Sequence, residues 1–250
     1  MAKPALRVFV PSKNRPHTKI VERWAPAGIT PLIFVEPQDA ESYAHLPVEV
    51  LPEDNQGLVY SRNYILNYAR KNGVKWFCMC DDDIVNFSEV KNGRARTGDA
   101  RIVLKAWNLA QKYNLGMIGL AYRQYGWSEK KPVRINTKLP EVCVIMHTDR
   151  LKHNYRPELE LKEDRDFAMK AIQNKANVAV CSRFCIQVPN IGTNEGGLFE
   201  AYQDTERYYA AIIQFVKAWP KYSKIVKRKG RFDLKINVRQ LAQDTQQQTI

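Results

Sequence analysis

Three adjacent carboxylates, Asp81-Asp82-Asp83, follow the run VKWFCMC at residues 74–80, apolar but for Lys75. Like charges held this close repel unless a cation or a hydrogen-bond network compensates, and hard carboxylate oxygens suit Mg²⁺ or Mn²⁺. A divalent ion held by one or two of them keeps positions open for phosphate oxygens. The competing reading is a solvated acidic turn. A second acidic cluster, Glu160-Leu161-Lys162-Glu163-Asp164-Arg165-Asp166, opens a helical pattern. Free amide groups at a helix start stabilise acids, so capping competes there with a chemical role. The five cysteines contain a C-x-C pair that is wrong for a zinc knuckle, and the four histidines add no ligand spacing to it.

These residues need a scaffold, and the pattern predicts one. Apolar runs at residues 6–12, 30–37, 48–53, 74–80, 115–122, 142–147 and 177–188 read as strands. Residues 18–27, 99–113, 163–174 and 200–219 read as helices, as does NQGLVYSRNYILNYARKNG, with Asn55 as its cap and Asn72-Gly73 as its stop. The strand before the aspartates shows no alternation, as expected when both faces are covered. The expected fold is therefore α/β, a mixed and mostly parallel central sheet flanked by helices, in which ligands bind beyond the carboxyl ends of the strands. Pro11-Ser12-Lys13-Asn14-Arg15 and the aspartate triplet both lie at such ends. The end of the chain, QDTQQQTI at 243–250, is low in complexity and is expected to fray.

VFVPSKNRP, then NQGLVYSRNYIL, then WFCMCDDDI, in this order and at these separations, resembles the nucleotide-sugar-binding half of a GT-A-fold glycosyltransferase, with the triplet as its D-x-D motif. The resemblance spans residues 6–200 and implies a Rossmann-like domain with a donor half over 1–86 and an acceptor half over 87–200; residues 201–250 form a helix and basic tail packed on it. It implies metal ligation by Asp81 and Asp83. Donor contacts are implied for Pro11, Ser12, Asn14, Arg15, Glu36, Asp81 and Asp82. Gln56, Gly57, Arg62 and Asn63 resemble the G-x-x-x-A-R-N stretch of family 2 enzymes, where the basic residue faces the nucleotide. The later E-D pair looks like the motif that supplies the catalytic base of inverting enzymes. Asp164 is the expected base, with Glu163 and Asp166 as alternates. The late metal-binding histidine of many such enzymes has no counterpart, because no histidine lies beyond residue 153.

The charge points toward the acceptor. Lys and Arg number 39 against 26 acids, a formal net charge of +13, and such an excess favours a polyanionic partner. Between Lys217 and Arg239 stand nine basic residues, Lys227, Arg228, Lys229 and Arg231 among them, and one acid. Residues 122–138 interleave Tyr125 and Trp127 with Arg123, Lys130, Lys131 and Arg134, a mixture suited to base stacking and phosphate contact. Each stretch also reads as an ordinary solvated face. Together with the motifs, this basicity resembles the GT-A glycosyltransferases associated with TET/JBP oxygenases, many of them phage-encoded. That resemblance implies a UDP-sugar donor, Mn²⁺ or Mg²⁺, and a DNA acceptor carrying 5-hydroxymethylcytosine or 5-hydroxymethyluracil. Two rivals are a glycosyltransferase acting on a polysaccharide or protein, and a Mg²⁺-dependent DNA-binding protein or nuclease; the second would make no use of a nucleotide-sugar. No run reaches the roughly 18 apolar residues of a membrane span, no signal-peptide core opens the chain, and the cysteines read as reduced thiols, so a cytoplasmic protein is expected. Nothing in the pattern fixes an oligomeric state.

Overall fold

A computed structural model describes residues 6–128, 132–189, 199–228 and 231–247. Strands β1 (Arg7–Pro11), β2 (Leu32–Val35), β3 (Val48–Val50) and β4 (Trp76–Cys80) pair in parallel in the order β3-β2-β1-β4. Their side chains alternate between two cores. Val8, Val10, Ile33, Val35, Cys78 and Cys80 face one cluster, which includes Ile20 and Trp24 of helix α1 (Ile20–Trp24). Phe9, Phe34, Phe77 and Met79 face the other, with Val59, Ile65, Leu66 and Ala69 of helix α2 (Gly57–Lys71). Both faces being covered explains why β4 is buried throughout and shows no polar alternation. Gly73, at φ +64°, ends α2 as its left-handed C-terminal residue. Asn55 does not cap this helix: its Oδ1 accepts from Lys13 Nζ at 2.8 Å and Gln38 Nε2 at 3.2 Å instead.

The chain then adds a hairpin of β5 (Asn86–Lys91) and β6 (Arg94–Gly98), helix α3 (Arg101–Lys112), and strands β7 (Met117–Tyr122), β8 (Val133–Ile135) and β9 (Cys143–His147). Helix α4 (Glu163–Gln173) and β10 (Val178–Gln187) follow. The ten-stranded sheet runs β3-β2-β1-β4-β9-β7-β10-β5-β6, with β8 paired to β10. Strand β9 is antiparallel to both β4 and β7, while β10 runs parallel to β7. The sheet is thus mixed and mostly parallel in direction. Helix α3 joins α1 on one face through Ile102, Val103 and Ala106, and α4 joins α2 on the other through Phe167, Ala168 and Ile172.

The last fifth departs from expectation. The anticipated helix over 200–219 is two, α5 (Phe199–Gln203) and α6 (Thr205–Ala218), because Asp204 leaves the helical conformation and caps α6 by accepting from Arg207 N at 2.9 Å. The basic stretch forms an antiparallel ribbon, β11 (Ser223–Arg228) and β12 (Arg231–Ile236). Of the tail expected to fray, residues 243–247 belong to helix α7 (Val238–Gln247) and 248–250 lie outside the described residues; Val238 and Leu241 join Phe167 and Ile172 in the α4-side core. All five cysteines are buried and unbridged, and Cys78 Sγ and Cys143 Sγ stand 3.7 Å apart. No helix among the described residues is long and apolar enough to cross a membrane.

Candidate active site at the end of strand four

The three aspartates have three different environments. Asp82 is buried, and both its oxygens are taken: Ser12 Oγ donates to Oδ2 at 2.5 Å and Arg15 Nη1 to Oδ1 at 2.6 Å. Thr18 Oγ1 also donates to its carbonyl at 2.5 Å, and Tyr43 OH stands 2.7 Å from Ser12 Oγ while accepting from Arg15 N at 2.6 Å. Asp82 therefore fastens the loop after β1 to the end of β4. Burial raises its carboxyl above the usual range, and Arg15 and Ser12 pull it back. Asp83 is partly exposed and lies 3.6 Å from Arg15 Nη1. On the same loop Asn14 adopts φ +57° and its N–H donates to Asp39 Oδ2 at 3.2 Å. Glu36, placed by resemblance against the nucleoside, is buried and held by Lys13 at 2.7 Å and Gln38 Nε2 at 2.7 Å.

Asp81 faces the other way. Its Oδ1 meets Arg62 Nη2 at 3.2 Å, and Arg62 Nη1 meets Glu163 Oε1 at 3.0 Å, so one buried guanidinium joins the β4 end to the start of α4. The guanidinium also lies 5.8 Å from the Tyr155 ring centroid, and its Nε has no partner among the described residues. Burial pushes the Glu163 carboxyl up to about 8 against the pull of Arg62. Burial likewise lifts Asp81 to about 7, opposed by Arg62 and reinforced by Asp83 and Asp82. Asn63, the next residue of α2, exchanges two hydrogen bonds with the Tyr155 backbone, at 2.9 and 2.8 Å. Gln56 Nε2 donates to Asp54 O at 3.3 Å, and Gly57 takes φ +82°, which only glycine adopts freely.

Asp81, Arg62, Tyr155 and Asp164 line one pocket, together with the apolar Met79, Met117, Pro140, Val142, Val144 and Met146. Two carboxylates 83 residues apart in sequence thus meet over an apolar surface. Among the described residues, Asp164 Oδ1 accepts only from the adjacent Arg165 N, at 2.6 Å. Glu163, by contrast, is occupied by Arg62. Asp166 points elsewhere: it is 1% exposed and accepts from Trp219 Nε1 at 2.7 Å and Arg156 Nε at 2.9 Å, with a second bond from Arg156 Nη2. Of the three acids opening α4, Asp164 is the one that reaches the pocket. A neighbour not anticipated from sequence is Glu141, which accepts from Arg165 Nε at 2.8 Å and from Tyr122 OH at 3.2 Å. The lone Pro140-Glu141 step has no periodicity to announce it.

Among the described residues no group of three or more His, Cys, Asp or Glu side chains is arranged to hold a metal ion. With Asp82 saturated, Asp81 and Asp83 are the carboxylates of the triplet left open to a cation, their side chains 32% and 23% exposed. Two carboxylates with substrate phosphates completing the shell suit Mg²⁺ or Mn²⁺. His147 stands edge-on to Trp76 and His153 lies tilted against Phe167, with ring centroids 4.6 and 4.2 Å apart.

The basic residues fall into two places. Arg123 donates to Gln187 Oε1 at 3.0 Å, Tyr125 is 53% exposed, and Arg134 lies on β8 opposite Val180. Lys130, Lys131 and Lys229, and the side chains of Trp127 and Arg231, lie outside the described residues. On the ribbon, Ile225 and Leu234 pack toward α4 and α6. The opposite face pairs Lys224 directly with Lys235, and Val226 with Asp233; Arg228 Nη1 lies 3.5 Å from Asp233 Oδ2. Lys227 is exposed across from Phe232. Asp233 acts electrostatically on Arg165, the neighbour of Asp164.

Comparisons with known proteins give the fold and the family. The structure of S. aureus TarS 1-349 superposes with a TM-score of 0.53 at 14% identity, covering 93% of this chain and 96% of that one. Its complex with UDP-GlcNAc gives 0.55 at 17% identity, covering 84% and 66%. At these identities the likeness shows a shared fold, that of the GT-A glycosyltransferases. No curated protein matches the chain. A family model, TET-Associated Glycosyltransferase, matches residues 6–197, and over that span the chain belongs to this family and is a glycosyltransferase.

Proposed function

We propose that the protein transfers a sugar from a UDP-sugar to the hydroxymethyl group of 5-hydroxymethylcytosine or 5-hydroxymethyluracil in DNA, with inversion at the anomeric carbon. The observation that carries the reading is the meeting of Asp81 and Asp164 in one pocket beside the carboxyl end of β4. The donor lies in the half formed by residues 1–86, where Pro11 ends β1 and Ser12, Asn14 and Arg15 lie on the loop after it. TarS has been captured with UDP and with UDP-GlcNAc, which supports a uridine diphosphate donor. Asp81 and Asp83 would hold Mn²⁺ or Mg²⁺, which supplies charge neutralisation for the departing diphosphate.

Asp164 takes the proton of the acceptor hydroxyl as its oxygen bonds to the anomeric carbon. The bond from that carbon to the β-phosphate oxygen breaks, and its electron pair leaves with UDP. Arg62 keeps Glu163 engaged and so leaves this work to Asp164. The family name supports a DNA acceptor, and the charge distribution adds to it: Lys224, Lys227, Arg228 and Lys235 stand on one ribbon, whose Asp233 acts electrostatically on Arg165. A two-stranded ribbon is narrow enough for a duplex groove, and a base carrying the target hydroxyl would be extruded to reach Asp164. Arg123, Tyr125, Trp127, Lys130, Lys131 and Arg134, and Lys229 and Arg231 of the basic stretch, are assigned as further backbone and stacking contacts to the DNA.

The test is nucleoside mass spectrometry on duplexes containing 5-hydroxymethylcytosine or 5-hydroxymethyluracil, incubated with protein, Mn²⁺ and a pool of UDP-sugars. A mass gain of a hexose, pentose or N-acetylhexosamine on the modified nucleoside is expected. UDP release without any gain would send the acceptor to glycans or proteins.

A further inference from the structure

The turn that carries Glu141 is held against its own preference. Val142 adopts φ +60°, a conformation that β-branched residues avoid, and Cys143 N donates back to Glu141 O at 2.6 Å across it. Three contacts enforce it. Asp81 N donates to Val142 O at 3.1 Å, tying the turn to the end of β4. Pro140 rests directly on Gly119 of β7, where any Cβ would lie 2.4 Å from Pro140 Cβ. The Glu141 carboxylate, finally, bridges Arg165 Nε at 2.8 Å and Tyr122 OH at 3.2 Å. Backbone held in a rare conformation by several independent contacts marks a position where the side chain has work to do.

Arg165 defines that work. It follows Asp164 in sequence, and both Glu141 and Asp164 act electrostatically on it, yet among the described residues its guanidinium pairs with Glu141 alone. An arginine that closed on Asp164 would hold that carboxylate in its ionised form and make it a poorer proton acceptor. We propose that Glu141 is a positioning residue for the transfer step: it takes the Arg165 guanidinium and thereby leaves the Asp164 carboxylate unpaired for the acceptor hydroxyl. This rests on the assignment of Asp164 as base. Burial and the nearby charge of Asp164 raise the Glu141 carboxyl, and Arg165 restrains it, as expected for two carboxylates sharing one cation's neighbourhood.

The test is steady-state kinetics of full-length Glu141→Ala, Arg165→Ala, the double variant and Asp164→Asn, with UDP-sugar and hydroxymethylated DNA. Glu141→Ala is expected to lower kcat roughly 10- to 100-fold, a part of what a general base supplies, with the donor KM within about twofold of the parent. Adding Arg165→Ala to it is expected to restore most of the loss, a rescue that a merely structural Glu141 would not produce. A double variant as slow as Glu141→Ala overturns the proposal while leaving Asp164 as base. An Asp164→Asn enzyme with parental kcat removes the base assignment itself, and the proposal with it. Should Glu141→Ala not fold, Glu141→Gln keeps an oxygen for Arg165 Nε without the charge, and the same rescue by Arg165→Ala is required of it.

Discussion

Asp166 is the acid that sequence alone cannot separate from Asp164, and its removal should act on stability rather than on transfer. Its carboxylate accepts from Trp219 Nε1 at 2.7 Å and Arg156 Nε at 2.9 Å, joining α4 to the end of α6. Asp166→Ala strands the indole N–H of Trp219, itself 4% exposed, at a cost of about 1–3 kcal/mol. It also strands the Arg156 charge. Breaking a fully buried pair costs about 3–5 kcal/mol, but the Arg156 side chain is 35% exposed and can turn to water, which removes much of that. The sum is about 2–4 kcal/mol, or roughly 4–16 °C in Tm for a chain of this size. Asp166→Asn keeps an acceptor for Trp219 and should lose about half as much. Thermal unfolding followed by circular dichroism, paired with single-turnover transfer well below Tm, separates the two effects. Transfer by Asp166→Asn within about threefold of the parent is expected. A variant that melts like the parent yet transfers a hundredfold more slowly would refute the reasoning and make Asp166 the reacting acid.

Other expectations test the periphery. Neutralising Lys224, Arg228 and Lys235 should weaken DNA binding and reduce the slope of log K against log salt by about 2–3, one unit or slightly less per lost phosphate contact, as read by fluorescence anisotropy. An unchanged slope would leave the ribbon as a solvated face. Leu241→Ala should cost about 2–5 kcal/mol in denaturant unfolding, because Leu241 is 1% exposed in the α4-side core; a negligible loss would mean that α7 does not pack. The His153 imidazole is held below its ordinary value by burial, with Arg70 and Lys170 adding to the effect. The folded state therefore favours its neutral form, so its contribution is full above about pH 6.5 and is lost as pH falls through the lowered value. His153→Gln should accordingly flatten the acid side of the stability profile, and an unaltered profile would place the acid sensitivity elsewhere.

Much of the scaffold is legible because burial on two faces leaves a plain signature. The unalternating runs before Ser12 and Asp81 are strands for that reason, and the loops they feed carry the polar residues. Other signals were present but weak. Asn92-Gly93 closes the β5–β6 hairpin with both residues at positive φ, a two-residue turn that the dipeptide itself announces. Val238, Leu241 and Thr245 recur at helical spacing beneath a glutamine-rich tail that looks unstructured by composition. What sequence could not resolve was the division of labour within each acidic cluster. Asp82 is drawn off by Ser12 and Arg15 from 67 or more residues away, and Asp166 by Trp219 from 53 residues away. No local pattern encodes such partners. Glu141 escaped notice for the same reason, since its importance comes from Arg165 and from the enforced turn at Val142.

The account turns on Asp164 as the group that takes the acceptor proton, and one variant tests this most directly. Asp164→Asn preserves size and the hydrogen bond from Arg165 N while removing the charge. Single-turnover transfer to hydroxymethylated DNA, measured beside calorimetric titration with the UDP-sugar, should show transfer slowed by roughly two to four orders of magnitude at unchanged donor affinity. Near-parental transfer by this variant would contradict the account and move the base to another carboxylate.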